Sequence, residues 1–70
     1  MSNLKRIREG NNLTQAKLSE ISGVSLPMIQ KYEARIKDIN KAQAITIYKL
    51  AQALNCNMED LIEIEKEVEE

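Results

Sequence analysis

The apolar residues of this chain recur at intervals of three and four positions, which is the spacing of residues on one face of an α-helix. The pattern predicts five helices, at residues 4–9, 15–22, 26–34, from Lys41 or Ala42 to Leu54, and after Asn57. In the fourth, the predicted core stripe is Ala44, Ile47, Tyr48, Leu50, Ala51 and Leu54. We therefore predict an all-α chain, folded as a compact five-helix bundle around one core.

Polar residues stand where each predicted helix begins. Their side-chain oxygens can accept hydrogen bonds from backbone N–H groups that have no partner inside the helix. The predicted caps, in chain order, are Ser2 or Asn3, Thr14, Ser25, Asn40 and Asn57. Asp60 follows Asn57 by three residues, in the position of a capping box, and Asn55 is the predicted stop of the fourth helix.

The second and third predicted helices are joined by a very short link. Gly23 can end the second helix in the left-handed conformation without strain at Cβ. Only Val24 and Ser25 then separate it from the third helix. So short a link makes the two helices cross steeply, as in a helix-turn-helix. We expect the crossing to bury Leu18, Ile21, Val24, Ile29 and Tyr32.

At these positions the chain resembles the lambda repressor/Cro-like helix-turn-helix family, of the xenobiotic-response-element type. The resemblance covers roughly residues 4–63 and is carried by Arg8, Thr14, Gln15, Leu18, Gly23, Val24, Ser25, Ile29, Glu33, Leu50, Ala51, Ala53 and Leu54. It implies a sequence-specific regulator of transcription, a repressor, that inserts its third helix into the major groove of double-stranded DNA. We divide the chain into a DNA-binding domain, residues 1–64, and an acidic tail, residues 65–70, that extends the fifth helix or frays.

The resemblance also implies an ion pair between Arg8 and Glu33, which ends the third helix. The pair is either partly buried and bidentate or a loose surface pair worth under ~1 kcal/mol. Residues 35–40, with the sequence RIKDIN, form a loop about three residues longer than the family usually shows. Arg35 stands where the family commonly has Gly, so it either adopts a positive φ or the helix ends by another route.

Formal charge is distributed unevenly, although the net charge is only −1. Residues 1–56 hold nine basic and four acidic residues, a net charge of +5, whereas residues 57–70 hold Lys66 against seven acidic residues, a net charge of −6. The basic part can bind a polyanion while the acidic tail points away from it.

The start of the second helix is predicted to meet the DNA backbone. In a helix-turn-helix the first of the two helices places its N-terminus against phosphate groups. The Gln15 amide can donate a hydrogen bond to a phosphate oxygen there. Thr14 either bonds the same phosphate or only caps the helix. Lys17 adds positive charge at the same edge. By resemblance, Ser25 lies near the DNA backbone.

The third helix is predicted to contact bases. By resemblance, the base-reading positions are Leu26, Pro27 and Lys31. Leu26 and Pro27 have no side-chain donor or acceptor, so they can touch only thymine methyl groups or sugars, whereas Lys31 can donate to guanine. Gln30 either pairs with adenine or is a solvated surface residue, and Met28 lies at the margin of the face.

The loop cations Arg35, Lys37 and Lys41 are suited to phosphates, although each is equally compatible with a solvated surface charge. Few base-specific donors mean weak discrimination by one copy. We therefore expect a homodimer, at least on DNA, with recognition helices about 34 Å apart.

The expected contact between the two copies is an exposed strip of Leu61, Ile64 and Val68. Alternatively, this strip completes the monomer core or frays.

Several classes of function are disfavoured by composition. With no His and one Cys, the sequence offers no zinc site, disulfide framework or nucleophile–base pair, so we predict neither enzyme nor cofactor. The absence of an apolar run near 18 residues and of a secretory signal predicts a cytoplasmic protein without a membrane span. Cys56 is predicted to be a small buried residue. The alternative function is a protein-interaction module, docking a partner on Leu26, Pro27 and Met28, or an antitoxin-like regulator with both activities.

Overall fold

Four α-helices and two 3₁₀ turns form the regular structure of residues 2–63, the part of the chain that the computed structural model describes. The helices are α1 (Asn3–Gly10), α2 (Gln15–Ser22), α3 (Leu26–Glu33) and α4 (Ala44–Leu54), and the 3₁₀ turns are Ile39–Lys41 and Met58–Asp60. The all-α fold class is confirmed for these residues, whereas the prediction of five helices is wrong.

Most predicted helix ends follow the local signals. Ser2 Oγ accepts from the Lys5 N–H at 3.1 Å and Thr14 Oγ1 from the Lys17 N–H at 3.0 Å, so both side chains cap their helices. Ser25 is the N-cap of α3, but its side chain makes no capping hydrogen bond. Gly23 ends α2 in the left-handed region at φ 81°.

The helix α4 begins later than predicted, and Asn40 is not its cap. Gln43 takes that position, while Asn40 lies in the first 3₁₀ turn. Asp38 accepts from the Asn40 N–H at 2.9 Å, and the Asn40 amide exchanges two 2.8 Å hydrogen bonds with the backbone of Glu63. Because the side chain of Asn40 is hydrogen-bonded to Glu63, it is not available to cap α4. The end of α4 is as predicted, with Asn55 left-handed at φ 56°.

The predicted fifth helix is a single 3₁₀ turn. Its capping interaction is present, since the Asn57 N–H donates to Asp60 Oδ2 at 3.0 Å. The turn does not continue as an α-helix because the Glu63 N–H, which would donate to the Glu59 carbonyl, donates instead to Asn40 Oδ1 at 2.8 Å. Residues 64–70, including Ile64, Val68 and the predicted tail, lie outside the described residues.

A single apolar cluster forms the core, with α2 packed against α3 and α4. Its buried members are Leu4, Leu18, Val24, Ile29, Tyr32, Ile39, Ile47, Leu50, Ala51, Leu54 and Leu61.

Three residues that were predicted to lie in the core are exposed. Ile21 is 47% exposed, Tyr48 is 49% exposed, and Ala44 is exposed at the start of α4. Each residue advances a helix by about 100°, so Tyr48 is turned well away from the neighbouring buried Ile47. Ile21 lies in the last turn of α2 and is rotated by about 60° from the direction of Leu18. The buried stripes are therefore narrower than apolar periodicity alone indicates.

Candidate nucleic-acid interface

The turn between α2 and α3 is held by its own hydrogen bonds. The Val24 N–H donates to Ser22 Oγ at 3.1 Å, and Ser19 Oγ donates to the Val24 carbonyl at 2.7 Å. The Val24 side chain is buried in the core. These contacts fix the direction in which α3 leaves α2, and so they fix which face of α3 is exposed.

Arg8 and Glu33 form a bidentate ion pair between α1 and α3. Arg8 Nε lies 2.7 Å from Glu33 Oε2, and Arg8 Nη2 lies 3.0 Å from Oε1. The Arg8 and Glu33 side chains are only 9% and 4% exposed. Of the two predicted alternatives, the structure therefore contains the buried, bidentate pair and not the loose surface pair. Arg8 Nη1 also donates to the Leu13 carbonyl at 2.7 Å. The hydrogen bond to Glu33 is the largest influence on the pKa of Arg8, which is raised although burial opposes the shift.

Gln15 is part of the same cluster, a contact that was not predicted from the sequence. Its Nε2 donates to Glu33 Oε1 at 2.9 Å, so one carboxylate joins α1, α2 and α3. Gln15 is the first residue of α2 and remains partly exposed. Its amide therefore has one hydrogen committed to Glu33 and a second N–H that this bond does not use.

The other two residues predicted at the start of α2 are exposed. Thr14 caps α2, so the capping role is present whether or not the hydroxyl also meets a phosphate. Lys17 Nζ lies 3.5 Å from Glu20 Oε1, and both side chains are more than half exposed. Such a pair is weak in water, so Lys17 can leave it for another anion.

The face of α3 that was predicted to contact DNA is turned outward. Ser25, Pro27, Gln30 and Lys31 are exposed. Ile29 and Tyr32 are buried on the opposite face, as predicted. Pro27 lies in the first turn, where its missing N–H costs no helical hydrogen bond.

Leu26 and Met28 lie at the edge of that face. Both are partly buried, and Met28 packs against the core. Of the three apolar residues predicted to form a surface at the start of α3, only Pro27 is exposed.

After α3, Arg35 adopts a positive φ of 61°, which is the first of the two alternatives. This conformation lets the Ile36 and Lys37 N–H groups donate to the Lys31 carbonyl, at 2.9 and 3.2 Å, and so the end of α3 keeps its hydrogen bonds. Ile36 itself is 74% exposed.

The three loop cations are exposed, but they differ in their surroundings. Arg35 Nη2 lies 3.3 Å from Glu63 Oε1. Lys37 and Lys41 line an open cavity of about 490 Å³ between α3, the loop and the start of α4. From α3, the same cavity is lined by Met28 and Tyr32.

Leu61 does not belong to an exposed strip. It is completely buried, so it completes the monomer core, which was the alternative. Its predicted role in a dimer contact is therefore wrong. Ile64 and Val68, the other two members, lie outside the described residues. The exposed large apolar residues of α4 are instead Ile45 and Tyr48.

Residues 2–63 contain no group of three His, Cys, Asp or Glu side chains that could hold a metal ion. Within the same residues, no helix is long and apolar enough to cross a membrane. Cys56 is partly buried against the core. Burial, and to a lesser extent the charge of Asp60, raises the pKa of its thiol.

Comparison with known proteins identifies a protein family. A family model described as helix-turn-helix matches residues 4–61, a range that contains α2, α3, α4 and all of α1 except its first residue. Comparisons with curated proteins and with solved structures found no significant match.

Proposed function

Because the chain belongs to the lambda repressor/Cro-like helix-turn-helix family, whose members are DNA-binding regulators, we propose that it is a sequence-specific repressor of transcription that inserts α3 into the major groove. The observation that carries the proposal is the division of α3. Ile29 and Tyr32 are buried in the core, and the opposite face exposes Pro27, Gln30 and Lys31. We assign residues 1–64 to the DNA-binding domain and residues 65–70 to an acidic tail.

Base recognition depends on a small number of side chains. Lys31 can donate to guanine O6 and N7, and Gln30 can pair with adenine. Leu26 and Pro27 can contact thymine methyl groups, and Met28 contributes only its exposed edge. Discrimination between sequences by one copy is therefore modest.

Phosphate contacts supply most of the affinity in this proposal. Thr14, Gln15 and Lys17 lie at the start of α2, and Ser25 lies at the start of α3. Lys37 lies in the loop after α3 and Lys41 ends the first 3₁₀ turn, and both add exposed positive charge. The net charge of +5 on residues 1–56 favours the approach of a polyanion.

Arg35 contributes to DNA binding only if it exchanges Glu63 for a phosphate. Their contact, at 3.3 Å, is a largely exposed ion pair and is therefore weak in water.

We propose that two copies bind one operator, with their α3 helices in successive major-groove turns. Leu61 takes no part in their contact because it is buried within each copy. The contribution of Ile64 and Val68 to the contact between the two copies stays a prediction.

The alternative is a protein-interaction module, or an antitoxin-like regulator that also binds DNA. It requires an apolar patch of Leu26, Pro27 and Met28. The partial burial of Leu26 and Met28 leaves that patch small. DNA binding is therefore the better supported function.

Selection of bound duplexes from a random pool tests the proposal. We expect enrichment of a two-fold symmetric sequence, and a log affinity that falls with log salt by roughly 0.9 per neutralised phosphate. Failure to retain any duplex at low salt would overturn the proposal.

Lysine variants then separate the two kinds of contact. Lys31→Ala should change the selected bases, whereas Lys37→Ala should weaken all duplexes to a similar degree. Lys49→Ala removes one exposed charge from α4 and is the matched control. If Lys31→Ala leaves the base preference unchanged, α3 is not the reading helix.

A further inference from the structure

Glu33 contacts two residues with different expected roles. Its carboxylate accepts two hydrogen bonds from Arg8, which lies in α1, and one from Gln15, which begins α2. We propose that Glu33 is a positioning residue for DNA binding, which holds the Gln15 amide so that its second N–H meets a backbone phosphate. This inference rests on the proposed function and adds to it a residue that does not itself touch DNA.

The chemistry of the carboxylate fixes which end of the Gln15 amide faces it. An ionised carboxylate can only accept hydrogen bonds, so the group 2.9 Å from Glu33 Oε1 is the amide nitrogen. A phosphate oxygen is also only an acceptor and needs the same nitrogen. Since Nε2 carries two hydrogens, one can bond Glu33 while the other bonds phosphate, and the amide need not turn over.

The position of Gln15 suits such a contact. It is the first residue of α2, an eight-residue helix whose Lys17 N–H is already taken by Thr14 Oγ1. A free glutamine side chain samples many rotamers, and ordering it on binding lowers affinity. The hydrogen bond to Glu33 already restricts the Gln15 side chain in the free protein. Binding therefore does not have to remove this conformational entropy.

Arg8 prevents the carboxylate from repelling the phosphate. Its guanidinium bonds both carboxylate oxygens, and the Glu33 side chain is only 4% exposed. The negative charge is therefore balanced inside the protein.

A cycle of variants separates positioning from a purely structural role. Gln15→Ala is made in the wild type and in the double variant R8M/E33L, in which the ion pair is replaced by apolar side chains of similar size. The probe is a mixed-sequence duplex about three helical turns long, at low salt, because phosphate contacts do not depend on sequence. Lys17→Ala is the matched control, since Lys17 lies on the same turn but contacts Glu20.

We expect Gln15→Ala to weaken binding about tenfold in the wild type and less than about twofold in R8M/E33L. Lys17→Ala should have the same effect in both backgrounds. An equal effect of Gln15→Ala in the two backgrounds, or none in the wild type, would overturn the inference while DNA binding by the wild type still stood. If the wild type does not bind the duplex, the proposed function fails, and this inference with it.

A measurement on the unmodified protein gives an independent test that does not depend on the folding of R8M/E33L. In NMR spectra the two side-chain amide protons of Gln15 should be further apart than those of a solvent-exposed glutamine, because one of them bonds a carboxylate. Added duplex should shift the other. If duplex shifts backbone peaks of α2 but neither of these protons, the inference is overturned.

Discussion

Replacing Arg8 with Met should unfold a large fraction of the molecules under conditions in which the wild type is folded. The substitution keeps most of the side-chain volume, but it removes both hydrogen bonds to Glu33 and the 2.7 Å bond to the Leu13 carbonyl. The Glu33 carboxylate is then left buried with Gln15 alone as its hydrogen-bond donor.

The expected cost follows from burial. Removing one partner of a buried ion pair costs about 3–5 kcal/mol, because the remaining charge stays desolvated. A domain of this size has a total stability of roughly 3–10 kcal/mol. A loss of 3 kcal/mol would lower the melting temperature by more than ~10 °C.

Urea unfolding followed by far-UV circular dichroism measures the loss directly, provided that the slope with denaturant is unchanged. The control is R8M/E33L, in which no charge is left buried, so most of the lost stability should return. A cost below ~1 kcal/mol for Arg8→Met is the value of an exposed pair and would refute our reasoning.

Three further outcomes test the fold. Leu61→Ala should cost about 2–5 kcal/mol in urea unfolding; a neutral result would mean that Leu61 is not in the core. Gly23→Ala should cost about 1–2 kcal/mol through its φ of 81° alone, since a Cβ there meets no atom within 4 Å; a stabilised variant would contradict this. The folded state holds the Cys56 proton more tightly than the unfolded chain does. Stability should therefore fall as pH rises above the ordinary thiol pKa, and a Cys56→Ala variant that shows the same decline would exclude Cys56 as its source.

Features set by neighbouring residues could be predicted from the sequence. The Thr14 cap, the left-handed Gly23 and the stop at Asn55 each depend on a backbone position and on residues within one helical turn. The positive φ at Arg35 was one of two alternatives, because a loop that follows a helix without Gly has few ways to satisfy the last carbonyls.

Features set by distant residues could not be predicted in this way. Nothing in apolar periodicity pairs Asn40 with Glu63, yet that contact moves the start of α4 and ends the predicted fifth helix after one turn. The bond between Gln15 and Glu33 has the same origin, since it exists only once α2 and α3 have crossed. Ile21 and Tyr48 were misplaced because periodicity gives the direction of a buried face but not its width.

The hydrogen bonds around Glu63 bring the two ends of the described chain side by side. The Asn3 N–H donates to Glu63 Oε2 at 2.6 Å, and Asn3 Nδ2 reaches the neighbouring carbonyl of Ile62. A short flexible peptide could therefore join residue 63 to residue 2 and close the fold into a ring. New termini could then be opened in the exposed loop at Ile36, giving a circular permutant with the same four helices in a different order.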